Sequence, residues 1–206
     1  MTRDEITAVV QTSLDDLTGA FFTTDDLNDS LQDSYDLSAL VSECIETYIN
    51  VNFVSNLTYY NFATSLTRYL RIIAIYNNNT NRWLEATSLL GLINIDAKWE
   101  TTTGEPLYFW PVDSTYVAIY PRPASATGNM LVFYKQYANT LSGSDTPQVP
   151  DENIKVLDYL SVSDLLDQIE EFKKSLDYFK LSQETLAELA KAVDKRIQPD
   201  YVAKLR

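Results

Sequence analysis

The chain has 206 residues, 45% hydrophobic and 22% charged, with five glycines and seven prolines; this is enough to bury a sizeable core and unlike a fibrous or low-complexity polymer. Having no histidine and a single cysteine, Cys44, it is excluded from Ser-His-Asp and Cys-His catalysis, histidine-ligated metal chemistry and an internal disulfide. Its formal net charge of −13 opposes long-range attraction to nucleic acid.

That charge is unevenly placed: residues 1–67 set Arg3 against eleven acidic side chains, whereas residues 191–206 hold Lys191, Lys195, Arg196, Lys204 and Arg206 against Asp194 and Asp200. An acidic head and a basic tail form a polarity that an identical or related neighbour could exploit. No run of about 18 apolar residues occurs, and Thr2-Arg3-Asp4-Glu5 lacks the order of a secretory signal, so no membrane association is expected.

In chain order, Ile6, Val9, Val10, Leu14 and Leu17 recur at helical spacing behind a Thr2/Glu5 capping box, predicting a helix over 3–18 that Gly19 ends. A second helix over 24–49 opens near Thr24 with Asp25 and Asp26 at its positive end, and its apolar face runs from Leu27, Leu31 and Tyr35 to Val41, Cys44, Ile45 and Tyr48. On that face Cys44 reads as a structural thiol. The period then becomes extended. Short strands are expected near Val51, Phe53 and Tyr59–Phe62, and a strong one over Tyr69–Tyr76, with Arg82–Leu84 returning antiparallel beyond the Asn77-Asn78-Asn79 turn. Thr87–Ile95 reads as a short helix, and Leu107–Trp110, Thr115–Tyr120 and Met130–Tyr137 as an antiparallel meander. After a loop over 139–150, Leu165, Ile169, Phe172, Leu176, Phe179, Gln183, Leu186, Ala190, Val193 and Ile197 form a heptad-like seam. The seam packs on its own domain or forms a self-assembling coiled coil. Pro199 ends it.

The expected fold class is therefore α+β: a helical bundle of N- and C-terminal helices carrying a small antiparallel β insertion over about 50–137. Residues 1–198 read as one domain and 199–206 as a tail.

Candidate chemistry is sparse. Asp15-Asp16, Asp25-Asp26 and Glu170-Glu171 are neighbours on helices, pointing about 100° apart, so they do not face one substrate. No glycine spacing writes a phosphate loop and no acidic run matches a calcium hand. No catalytic residue, cofactor or metal is expected. The remaining feature is aromatic: 14 Tyr, 8 Phe and 3 Trp, many in the β segment and unpartnered by basic side chains, which suits core and subunit contacts better than base stacking.

The order helix, helix, β insertion, helices accompanies the block Trp99-Glu-Thr-Thr-Thr-Gly-Glu-Pro-Leu-Tyr-Phe109, then Val117-Ala-Ile-Tyr-Pro-Arg-Pro123 and Leu131-Val-Phe-Tyr134. Together with the Tyr69–Tyr76 strand followed by Trp83-Leu84, these resemble the head-to-tail adaptor (connector) proteins of tailed bacteriophages, over residues 24 to about 195. The resemblance implies a structural virion protein at the neck, made in the host bacterial cytoplasm. It implies a homo-oligomeric ring of about twelve copies that docks on the portal protein, extends the DNA channel and gives tail or nozzle proteins a platform, DNA passing without specific binding. The family's portal-reaching arm maps onto Pro199, Asp200, Tyr201, Val202, Ala203, Lys204, Leu205 and Arg206. Trp99, Pro106, Tyr108, Trp110, Tyr120 and Tyr134 become candidates for the subunit interface or tail platform. Family members break the C-terminal helical region in two, and here the break is expected near Asp167–Glu171. The competing reading is another phage tail or baseplate module that binds protein partners through its aromatic β segment.

Overall fold

The computed structural model describes residues 1–16, 19, 21–62, 68–113 and 115–197. Two compact units are present: Met1–Ile45 with Tyr137–Arg206, and Glu46–Gln136.

The first unit is helical. Helix α1 (Arg3–Ser13) starts on the expected capping box, Thr2 Oγ1 accepting from the Glu5 amide at 3.3 Å and Glu5 Oε2 from the Thr2 amide at 2.8 Å. It stops at Ser13, short of residue 18, because Asp15 turns left-handed (φ 59°); residues 17 and 18 lie outside the described residues. Helix α2 (Thr24–Ser42) uses the same device through Thr23 and Asp26. It ends at Ser42, well before the expected Ile49, since Glu43 adopts φ 49° and closes the last turn in a left-handed cap. Helices α4 (Lys155–Gln168) and α5 (Phe172–Ile197) are separated by Glu170 at φ 63°, so the break falls in the expected interval without glycine or proline. A core of Ile6, Val10, Leu27, Leu31, Tyr35, Leu157, Leu186 and Leu189, with others, joins these helices.

Buried serines let three of these helices approach closely. Ser30 Oγ donates to the Ser161 carbonyl at 3.3 Å, Ser161 Oγ to Ser34 Oγ at 3.0 Å, and Ser163 Oγ to the Ser175 carbonyl at 3.0 Å. Consequently the buried stripe of α5 runs through Ser175, Ser182, Leu186, Leu189 and Val193, while Ile169, Phe172, Leu176 and Phe179 of the predicted seam are exposed.

Among its described residues the second unit holds ten strands and helix α3 (Leu89–Ile95). One antiparallel sheet has the order β1-β10-β3-β4, built from Glu46–Asn52, Asn129–Gln136, Tyr69–Asn77 and Arg82–Trp83. A second has the order β2-β8-β7-β5, from Tyr59–Asn61, Tyr116–Tyr120, Tyr108–Pro111 and Glu85–Ala86, with β5 and β7 parallel. Strands β6 (Thr103–Gly104) and β9 (Arg122–Pro123) form a parallel pair. Phe53, Phe62, Ile75, Phe109, Val117, Ile119, Met130 and Val132 make the main core of this unit.

The α+β class is compatible with this architecture, but the expected bundle with a small antiparallel insertion is not what forms. Among the described residues there are five helices, one inside the β unit, and ten strands in three sheets, two of whose pairings are parallel. The meander fails because β10 pairs with β1 and β3, remote in sequence, instead of with β8, its neighbour in the expected meander. Alternation marks a strand but not its partner.

Candidate partner-binding surfaces

Of the interface candidates, Trp99, Pro106, Tyr120 and Tyr134 are buried, with Trp99 only 4% exposed, and Tyr108 and Trp110 are half-buried. The area of the four buried side chains is spent inside the unit. Trp99 packs edge-on against Trp110 at 6.2 Å and Tyr59 at 6.0 Å, and Tyr120 stacks with Tyr108 at 6.1 Å. The phenols are tied down. Tyr59 Oη donates to Glu100 Oε1 at 2.6 Å, and burial together with that carboxylate pushes its pKa up to about 12. Asp96 Oδ2 accepts from Thr102 Oγ1 at 2.5 Å and Tyr120 Oη at 3.3 Å; the Thr102 bond, followed by the Lys98 amide, holds the Asp96 carboxyl below its ordinary pKa. These residues fasten the loop after α3 to the sheet.

Different aromatics remain open. Tyr48 on β1 meets Phe133 on β10 at 5.5 Å, Phe133 meets Trp83 on β4 at 5.4 Å, and Trp83 meets Tyr76 on β3 at 5.0 Å. The β3 residue opposite Phe133 is Ala74, small enough for rings on either side to touch across it. Tyr48 and Trp83 are exposed while Phe133 and Tyr76 are half-buried, so the four-ring ridge that crosses this sheet is partly open to solvent. Sequence reasoning misses the ridge because the helix expected over 24–49 claims Tyr48.

Helix α3 exposes a second surface. It is capped by Ser88, whose Oγ accepts from the Gly91 amide at 3.1 Å, and it is apolar at every position but Gly91 and Asn94. Only Leu92 is buried; Leu89, Leu90, Ile93 and Ile95 are exposed, Leu90 to 71%.

In the helical unit, α2, α4 and α5 enclose a groove of about 580 Å³. Serines form its floor. Leu37, Phe172, Leu176 and Phe179 supply apolar sides, and Asp33, Asp164 and Asp167 line it with no basic side chain among the described lining residues. The groove is not foreseeable from the sequence, since Phe172, Leu176 and Phe179 read as a buried seam. Cys44 is half-buried, its Sγ 3.9 Å from the Gln148 carbonyl, between exposed Val41 and buried Ile45.

The proposed arm, Pro199–Arg206, lies outside the described residues. Among the described residues no cluster of three or more Cys, Asp or Glu side chains could hold a metal ion, and no helix is long and apolar enough to cross a membrane. No protein-family model matches this chain, and no curated protein is similar to it.

Proposed function

We propose that this chain is a ring-forming head-to-tail adaptor of a tailed bacteriophage: a structural virion protein at the neck that docks on the portal, extends the DNA channel and offers the tail a platform. The assembly part of this reading rests on α3. An apolar helix that buries one residue and presents four to water belongs against another surface. The phage part rests on the sequence blocks Trp99–Phe109, Val117–Pro123 and Leu131–Tyr134. Charge supplies the mechanism. A lumen gripping many phosphates would brake packaging and ejection, because each neutralised phosphate strengthens attachment; an acidic wall from the helical unit avoids that.

A second reading, a tail or baseplate module that binds proteins through its β unit, draws on the partly exposed Tyr48–Phe133–Trp83–Tyr76 ridge. Electron microscopy of assembled particles separates the two. The adaptor reading expects a closed ring on the particle axis beneath the portal, with Asp and Glu facing the lumen. Absence from the neck, or a lumen lined mainly by Arg and Lys, overturns it, and density at the tail tip or baseplate assigns the second reading.

A further inference from the structure

The groove between α2, α4 and α5 offers apolar sides and carboxylates together: Leu37, Phe172, Leu176 and Phe179 beside Asp33, Asp164 and Asp167. Phe172 is 61% exposed and Leu176 51%, so hydrocarbon that should be covered stands in water next to uncompensated negative charge. A ligand for such a site needs large apolar side chains interleaved with cations. One segment of this chain has that composition: Lys195, Arg196, Tyr201, Val202, Lys204, Leu205 and Arg206, with Asp200 as the one opposing charge among residues 195–206.

The segment cannot bring Tyr201 and Val202 into the groove of its own subunit. Leu176 and Ile197 are 21 residues apart on one continuous helix, which places them about 32 Å apart. Tyr201, four residues past Ile197, reaches back at most about 14 Å, and Leu205, eight residues past it, about 28 Å at full extension. Tyr201 stops far short of Leu176 and Phe179, and Leu205 nears them only with the chain fully extended, which leaves the groove without its aromatic anchor.

We infer that the groove receives residues 198–206 of a second copy of the chain, Tyr201, Val202 and Leu205 covering Leu37, Phe172 and Leu176 while Lys204 and Arg206 meet Asp33, Asp164 and Asp167. The contact is heterologous, each copy giving a tail and taking one, and repetition of a heterologous contact closes a ring when the rotation allows. The inference deepens the ring reading by naming a bond between neighbours. It gives the basic tail to the adjacent copy in place of the portal. Aromatic and aliphatic anchors supply affinity, and the charges set direction and salt sensitivity.

The test needs only the full-length protein and sedimentation velocity. Wild type is expected to gain average mass with concentration, and to lose it as salt rises from about 0.05 to 0.5 M. A groove variant, Leu176→Glu, and a tail variant, Tyr201→Ser with Leu205→Ser, are each expected to stay monomeric, their self-association weakened at least tenfold. Mixed together they form a one-to-one dimer and no larger species, because the intact tail of the first fits the intact groove of the second. Charge reversal provides the independent arm: Asp164→Lys with Asp167→Lys abolishes association, and adding Lys204→Glu with Arg206→Glu restores it. The inference is overturned if wild type remains monomeric at all concentrations, if either variant associates like wild type, if the mixture stays monomeric, or if the tail binds portal protein and never the groove. None of those outcomes touches whether a ring surrounds the particle axis, which micrographs decide separately.

Discussion

Ser161 is fully buried where α2 and α4 meet; its hydroxyl donates to Ser34 Oγ and its carbonyl accepts from Ser30. A hydroxymethyl group satisfies its own polarity there and takes little room, which sets the spacing of the two helices. Ser161→Leu adds carbon at a fully buried helix contact and removes the hydroxyl that donates to Ser34 Oγ. It is expected to lower stability by about 1–3 kcal/mol in denaturant titrations. Asp158, one turn earlier on α4, is a different case. Burial pushes its carboxyl up, although Ser13 Oγ donates to it at 3.3 Å. A carboxyl whose folded pKa is raised binds more protons folded than unfolded, so stability declines as pH climbs from about 4 through the raised value. Asp158→Asn keeps an acceptor for Ser13 and removes that decline. Melting temperatures of variant and wild type should coincide near pH 3 and separate in favour of the variant by pH 7. Asp26, Asp96 and Asp145 act in the opposite sense: hydrogen bonds from Thr23, Thr102 and Ser142, respectively, hold them low, and their contribution is lost as pH falls below about 4.

The junction of α4 and α5 turns on one left-handed residue. Glu170 carries a Cβ at φ 63°, a conformation that glycine adopts without steric cost. Glu170→Gly is expected to raise unfolding free energy by about 0.5–1 kcal/mol with unchanged helix content by circular dichroism. On α3, Leu90→Ser with Ile93→Ser alters side chains that touch little. Unfolding should shift by less than about 0.5 kcal/mol per site, while incorporation into particles, read by quantitative immunoblot of purified virions, should fall severalfold. Elements of this size were readable in the sequence where the signal was local. The Thr2/Glu5 box, the β3–β4 hairpin around Asn77–Asn79 and α3 each depend on a few neighbouring residues, whereas the break before α5 carries no glycine or proline and is expected from the family resemblance alone. What was unreadable depends on distant partners. Ile45 and Tyr48 suit a helical stripe as well as a strand, and only pairing with β10 makes 46–52 extended. Phe172, Leu176 and Phe179 satisfy a heptad better than Ser175 and Ser182 do, yet the serines are buried because their small size lets the helices close. The aromatics chosen for an interface filled the core for the same reason: composition reveals a sticky side chain, not the side from which it is covered.

At the scale of the whole chain, the β unit is inserted into the helical one, leaving after Ile45 and returning at Tyr137. Its first and last strands are partners: Glu46 stands opposite Lys135, whose fully buried Nζ bonds Glu46 Oε1 at 2.5 Å. Cross-strand positions of this kind lie about 5 Å apart. The whole β unit thus enters and leaves through a single doorway one residue pair wide, and the thread of the helical unit barely notices the detour. Joining Glu46 to Lys135 through an Asn-Gly turn in place of residues 47–134 should leave a protein that melts cooperatively and keeps the helical signal of α1, α2, α4 and α5, and a broad, non-cooperative transition would mean those helices lean on their guest. If the doorway holds, the β unit is a cassette: a lineage facing a new partner can exchange the whole module in one event, and an engineer can do the same, without re-routing a single helix.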